Sequence, residues 1–476
     1  MTNFPLWSGL GLVAALEARV SGRPPDAVTG VSIDTRTLEP GDLFVAIKGE
    51  HSDGHAHVRA AFDKGAAAAI VSEDASDALI GAGALYIVRD DGLAALQRLG
   101  RAARARGKPR IAAVTGSVGK TSTKEALRLV LAGEGATHAS IASYNNHWGV
   151  PLTLARMPRE TRFGVFEIGM NHAGEITPLT ALVRPHVALV TNVAEVHIEH
   201  FASIEGIADA KGEIFSGITR GGVAVINRDS GTFERVLGHA KDSPARHIVT
   251  FGEHEDADAR LIGYEATPDG AVVTANVLGR RLTFLLGASG RHLAINALAV
   301  LLAAKALGVE VEAAAHRLEG FRAGAGRGAR VTLQAAQGPF TLIDESYNAN
   351  PASMRAALAE MAATPLPLFG RRIAVLGDML ELGAEAPAMH ARLAADIAAD
   401  RIDAVFAAGP LMRALYDALP AQKRAAWEPD AARLEGAVLD AVQAGDIVMV
   451  KGSNGSRMGP IVKALASRYA PHAAEG

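Results

Sequence analysis

The clearest chemistry in this chain lies in IAAVTGSVGKTSTKEAL, which begins at Ile111. A buried strand is predicted to end at Thr115, a glycine-containing loop follows, and Lys120 and Thr121 open a helix. The backbone amides of such a loop, with the positive end of the helix dipole, cradle phosphate groups. In that arrangement Lys120 neutralises β- and γ-phosphate charge, and the Thr121 hydroxyl faces Mg²⁺. Gly116, Ser117, Val118, Gly119, Lys120, Thr121 and Ser122 are therefore the candidate ATP contacts. The loop is shorter than the general GxxxxGK[ST] pattern. Further along, Glu167 closes the predicted strand FGVFE. A carboxylate there can hold Mg²⁺ or its water, because that cation takes hard oxygen ligands. Taken alone, a strand-end glutamate is more often a helix cap or an ion-pair partner.

These groups need elements to position them. Residues 1–90 mix short strands and helices: GVSIDTRTLEPGDLFVAIKG reads as strand, Pro-Gly turn and strand, then a helix in HAHVRAAFDKGA and a strand in AAAAIVS. The helical stretch GLAALQRLGRAARARGKPR leads into a second unit, where IAAVTG, FGVFEIG, HVALVTNV, GGVAVIN and HIVTFG alternate with helices. That alternation predicts a parallel sheet of the α/β class. HLAINALAVLLAAKALG closes the unit, and the Gly-rich stretch from Arg322 to Ala329 reads as a linker. A third α/β unit has strands FTLIDES, RRIAVLGD, DAVFAAG and DIVMVKG. The expected domains are 1–90, 91–322 and 323–476. Polar residues follow several strands, where open α/β sheets place their ligand crevice.

Composition narrows the function classes. A chain of 476 residues suits about three domains, and 49% hydrophobic with 21% charged residues is ordinary for a globular protein. A net charge of -3 gives no basic field for nucleic acid or an anionic membrane. With 0 cysteines there is no disulfide, thiol nucleophile or zinc-thiolate site. The apolar start is soon broken by Glu17 and Arg19, which predicts an amphipathic helix rather than a signal peptide. A cytoplasmic, monomeric protein without membrane insertion is expected. His51, His55 and His57 have no partner cluster in the sequence and are read as no metal site.

The shortened loop, with a threonine before its first glycine, resembles that of the Mur ligase and folylpolyglutamate synthetase superfamily. YNNHWGVPLTLA from Tyr144, FEIGMNHAGEI from Phe166, NVAEVHIEHFASIEGIADAKGEIF from Asn192 and IDESYNANPASM from Ile343 follow in the family order. SIDTRTLEPGDLFVAIKGEHSDGH looks like the UDP-binding domain of two Mur ligases, which folylpolyglutamate synthetases lack. The SYNANP segment is especially similar to the ligases that add D-alanyl-D-alanine. The DNPR motif usual in those adding diaminopimelate does not occur.

The resemblance implies three domains: a small mixed α/β UDP-binding domain, a central P-loop ATPase-like domain with a parallel sheet, and a C-terminal Rossmann-like domain. It implies an ATP-dependent ligase joining D-alanyl-D-alanine to UDP-N-acetylmuramoyl-tripeptide through an acyl phosphate, with two Mg²⁺ ions. Lys120, Glu167, His197 and Lys211 would be catalytic, with His197 a ligand of the second metal and Lys211 carbamylated. Asn296 falls near adenine, and Arg327 and Asp344 are brought to ATP by the third domain. Ser32, Asp34, Thr35 and Arg36 fall to the UDP moiety. Asn145, Asn146, Tyr347, Asn348 and Asn350 fall to the peptide substrates, and Lys451 and Ser453 to the acceptor. Two other readings stay open at this point: another Mur-type ligase with a different amino acid, and a nucleotide-driven switch that couples hydrolysis to binding.

Overall fold

A computed structural model describes residues 5–50, 52–141, 143–195, 198–201, 203–267 and 269–470. Three α/β units follow one another along the chain, each built on its own sheet. In the first, strands Asp42–Val45, Ala68–Ser72 and Leu85–Val88 are apolar runs buried almost throughout, the pattern a parallel sheet with two covered faces requires. Gly30–Ser32 joins them in parallel at one edge and Arg19–Ser21 antiparallel at the other. Helix Gly92–Ala105 packs Ala95, Leu96 and Leu99 into this core, which continues into Leu152 and Ala155 of the second unit. Arg104 on that helix donates to the carbonyls of Val183 and Arg184 at 2.8 and 3.0 Å, and burial pushes its guanidinium down to about 10. The first two units are thus joined by shared core and by a buried cation.

The second unit carries a nine-stranded sheet. From one edge run Thr137–Ala139, Phe163–Glu167, Arg110–Thr115, Val187–Val190, Val223–Asn227, His247–Gly252 and Ala259–Thr267, all parallel. Gly270–Val277 and Arg280–Leu286 extend it as an antiparallel meander. Chain order reverses at Arg110–Thr115, which has a later strand on either side. Open α/β sheets bind ligands beyond the carboxyl ends of their strands at such a switch point. Helix Arg291–Ala306 is apolar on most of its surface and seals the sheet with Leu293, Leu298, Leu301 and Leu302.

The third unit has six strands in the order Ala329–Ala335, Gly338–Glu345, Ile447–Lys451, Arg372–Gly377, Ala404–Ala408 and Arg424–Glu428. Only the first pair is antiparallel. All the strands read from the sequence are present. Beyond them the structure adds Leu85–Val88, several strands of two or three residues, Ala259–Thr267, the meander, the hairpin partner Ala329–Ala335 and the edge strand Arg424–Glu428. The meander, the hairpin partner and the edge strand have one face or one end in solvent and so lack the continuous apolar run that marks a buried strand, whereas Leu85–Val88 is buried throughout. The apolar start of the chain forms helix Gly9–Leu16, which buries Leu12 and Leu16 and exposes Leu10. Among the described residues no helix is long and apolar enough to cross a membrane.

Candidate active site

The phosphate loop leaves the switch-point strand Arg110–Thr115 and enters helix Lys120–Ala132. Gly119 is the N-cap, in the left-handed region at φ 84°, and no side chain caps the helix. The first-turn amides therefore remain open to an anion. The loop is held from outside. Thr191 Oγ1 donates to the Val118 carbonyl at 2.6 Å, Asn192 Oδ1 accepts from the Val118 amide at 2.9 Å, and Ser117 Oγ donates to the Ala194 carbonyl at 3.0 Å. Ser122 Oγ bonds back to Gly119 at 3.1 Å and serves the helix turn. Lys120 Nζ donates to the Gly116 carbonyl at 2.7 Å. Burial pushes this ammonium below its ordinary range; the Glu167 charge opposes the shift and Arg327 adds to it. A cation poised so is relieved by phosphate charge.

Glu167, 1% exposed, ends the neighbouring strand, and both its oxygens are engaged. Thr121 Oγ1 donates to Oε2 at 2.8 Å, and Asn145 Nδ2 donates to Oε1 at 2.7 Å. Thr121 and Glu167 are two hard oxygen donors held together at the mouth of the phosphate loop, so these residues fit Mg²⁺. Among the described residues no group of three His, Asp or Glu side chains could hold a metal, so phosphate and water oxygens would complete its shell. His197 lies outside the described residues. Lys211, 3% exposed on helix Ile204–Gly212, has no hydrogen bond or ion pair among the described residues. Burial first, and the Lys120 charge second, push its amine well below the usual lysine range.

Two elements from beyond the central sheet close on this loop. Asn296, on helix Arg291–Ala306, stands so near Gly119 that a Cβ there would lie 2.5 Å from its Nδ2. Val118, Asn192, His292 and Asn296 face Glu345 and Ser353 of the third unit across a cavity of 190 Å³. Arg327 of the third unit reaches Ser143 Oγ at 2.9 Å and lies over the Tyr347 ring at 4.3 Å. Asp344 accepts from the Gly326 amide at 2.7 Å and from Ser346 Oγ at 2.6 Å, so it fixes the loop that carries Arg327.

The remaining candidates are held by their own neighbours. Ser32 Oγ donates to the Asp34 carbonyl at 3.0 Å, the Thr35 carbonyl accepts from Lys64 at 2.8 Å, and Arg36 pairs with Asp34 at 2.6 Å. That guanidinium holds the Asp34 carboxyl below its ordinary range. Asn146 caps the next helix through the Gly149 amide at 2.9 Å. Asn350 caps helix Pro351–Ala363, and its Nδ2 is buried with no partner among the described residues. Asn348 Oδ1 accepts from the Ala349 amide at 2.9 Å. Lys451, 2% exposed, is held by Glu345 and the Asn348 carbonyl, both at 3.0 Å. Ser453 Oγ accepts from the Leu380 amide at 3.0 Å and donates to the Ala349 carbonyl at 3.2 Å. These last two side chains are occupied by the protein itself. His55 bonds Asp53 at 2.6 Å and Ser72 at 3.0 Å, while His51 lies outside the described residues.

Comparison with known proteins assigns the family. Residues 27–104 match the Mur ligase family catalytic domain, 114–304 the Mur ligase middle domain, and 329–454 the Mur ligase glutamate ligase domain. The chain belongs to the Mur ligase family. This Mur ligase is 32% identical over 457 residues to a protein of Rickettsia prowazekii, covering 96% of this chain and 99% of the relative. It is 36% identical over 444 residues to one of Escherichia coli, covering 92% and 93%. Each relative is named UDP-N-acetylmuramoyl-tripeptide–D-alanyl-D-alanine ligase. The crystal structure of MurF from Acinetobacter baumannii superposes with a TM-score of 0.85 at 30% identity, over 98% of this chain and all of that one. MurF from Thermotoga maritima, in complex with ADP, shares the fold with a TM-score of 0.76 at 22% identity, over 92% and 97%.

Thr191, Asn192 and Ser143 of this Mur ligase are site residues that sequence reading missed. The first two sit just after the strand HVALV, at the carboxyl edge where ligand-side residues are expected, so a signal for them existed. Ser143 gave none, because its partner is 184 residues away.

Proposed function

We propose that this Mur ligase joins D-alanyl-D-alanine to UDP-N-acetylmuramoyl-tripeptide at the expense of ATP, acting as a monomer in the cytoplasm. Residues 1–90 bind the UDP moiety, 91–322 bind ATP, and 323–476 bring the acceptor and Arg327. The observation that carries this reading is the contact between Arg327 and Ser143, 2.9 Å long, beside a phosphate loop that belongs to another unit. A free carboxylate does not form an amide at neutral pH without activation. Its oxygen attacks the γ-phosphorus, the bond to ADP breaks, and an acyl phosphate results. The acceptor amine then attacks the acyl carbon, phosphate leaves and the amine loses a proton. Water must be kept from the acyl phosphate, which a site shared between two closing domains accomplishes.

Lys120 and the open amides of helix Lys120–Ala132 offset the charge that builds on the γ-phosphoryl group, where most phosphoryl-transfer catalysis resides. Thr121 and Glu167 would hold Mg²⁺, which when bound would supply further positive charge to those oxygens. Asn145 keeps the Glu167 carboxylate oriented. A second Mg²⁺ falls to His197 and to Lys211 as its carbamate. A buried, uncharged amine is the form that adds carbon dioxide, making one N–C bond and releasing one proton; its anionic oxygens suit a hard cation. The test is ADP release with each substrate withheld in turn. Release should need both the UDP-tripeptide and D-alanyl-D-alanine. Equal release without either identifies a nucleotide-driven switch and overturns the reading.

A further inference from the structure

Lys124 lies one helical turn beyond Lys120 and is 0% exposed, yet nothing in the reaction above uses it. A buried ammonium is costly unless it is paired and hydrogen-bonded. A methionine would fill similar space without that cost, so the charge needs another account. Its Nζ donates to the Ser140 carbonyl at 2.7 Å and lies 2.8 Å from Glu125 Oε1. Glu125 is itself held by Arg128 at 2.7 Å. Ser140, just beyond the short strand Thr137–Ala139, accepts from the Glu167 amide through Oγ at 3.2 Å. It also donates its own amide to the Val165 carbonyl at 3.2 Å. Ser143 receives Arg327 of the third unit, and Asn145 binds Glu167.

Ser140 therefore meets the backbone amide of Glu167, Asn145 meets its carboxylate, and Ser143, between them in sequence, receives the incoming arginine. We propose that Lys124 is a positioning residue: by gripping the Ser140 carbonyl from the phosphate-loop helix, it sets Ser140, Ser143 and Asn145 where they receive Arg327 and orient Glu167. Phosphate loop, metal carboxylate and domain closure are then tied through one buried cation. The inference rests on the ligase reading above and adds a coupling that the reading does not require.

The test uses the full chain, with wild-type turnover on both substrates measured first; absence of that turnover rejects the ligase reading and not the coupling. Lys124→Met, Ser143→Ala and the double variant are then compared. Lys124→Met should cost about tenfold or more in kcat, the scale of a small misplacement of catalytic groups, with KM for the UDP-tripeptide nearly unchanged. Ser143→Ala should cost a few-fold, and the double variant should be no worse than Lys124→Met alone, because both act through one segment. A kcat for Lys124→Met within about twofold of wild type, or losses that multiply, would overturn the proposal. If Lys124→Met does not fold, hydrogen exchange on the wild-type protein decides. The Ser140 and Glu167 amides should exchange as slowly as the sheet core, and exchange at surface-loop rates would reject the anchoring.

Discussion

Lys211 is the residue whose environment departs most from what a lysine prefers. It is buried beside a second cation, Lys120, with no carboxylate paired to it among the described residues. The unfolded chain keeps the ordinary lysine value while the folded amine lies well below it, so between the two the unfolded state binds more protons. Stability from this group therefore rises with pH across that window and is lost as pH falls. Lys211→Met should raise the melting temperature of the nucleotide-free protein at neutral pH, and the gain over wild type should shrink as pH climbs towards the unfolded lysine pKa. Thermal melts of both proteins across that range check it, and a gain that grows with pH would contradict it. Bicarbonate should stabilise wild type and not the variant. Lys211→Ala should lose most turnover. Lys120→Ala should cost on the order of 10²-fold or more, with its fold intact by circular dichroism, because the group it loses acts on developing phosphate charge.

At the scale of elements, the strand–loop–helix order around Gly116–Thr121 was legible because each part has its own local signature: a buried apolar run, two glycines and a helix opening on Lys-Thr. The glycine requirement can be tested. At φ 84° an alanine at Gly119 is strained, and its Cβ would stand 2.5 Å from Asn296 Nδ2. Gly119→Ala should cost about 1–3 kcal/mol of stability and weaken ATP binding by tenfold or more, seen by melts and by calorimetry. What braces the loop was not legible. Ser117 meets Ala194 only because Val187–Val190 pairs with Arg110–Thr115, and the two residues are 77 apart in sequence. The strands from Ala259 to Leu286 escaped notice for a different reason: each interrupts its buried positions with exposed or half-buried ones, so no continuous buried run announces them. Lys451 and Ser453 illustrate the converse. The run DIVMVKG puts Lys451 at the carboxyl end of a central strand, but only the fold shows that its ammonium meets Glu345 and the Asn348 carbonyl and that Ser453 meets Ala349 and Leu380.

Among the described residues, two side-chain pairs bond across the second and third units. Arg327 meets Ser143 at 2.9 Å, and Tyr264 reaches the Glu360 carboxylate at 3.4 Å while accepting from the Gly290 amide at 2.7 Å. Gly290 caps the helix that carries Asn296, so the same tyrosine touches both the nucleotide side and the third unit. Polar pairs of this kind suit a joint that opens and closes with ligand. Small-angle scattering should show compaction when ATP and UDP-tripeptide are both present, and Arg327→Ala should reduce it. Ligation by this route requires the tripeptide carboxylate to be activated by phosphoryl transfer before the amide forms. The most direct measurement labels that carboxylate with a heavy oxygen isotope and follows the label during turnover with ATP and D-alanyl-D-alanine. One labelled oxygen should appear in the released phosphate for each pentapeptide formed, with the product heavier than the tripeptide by the dipeptide less one water. Phosphate released without label, or ATP consumed with no new amide, would contradict it.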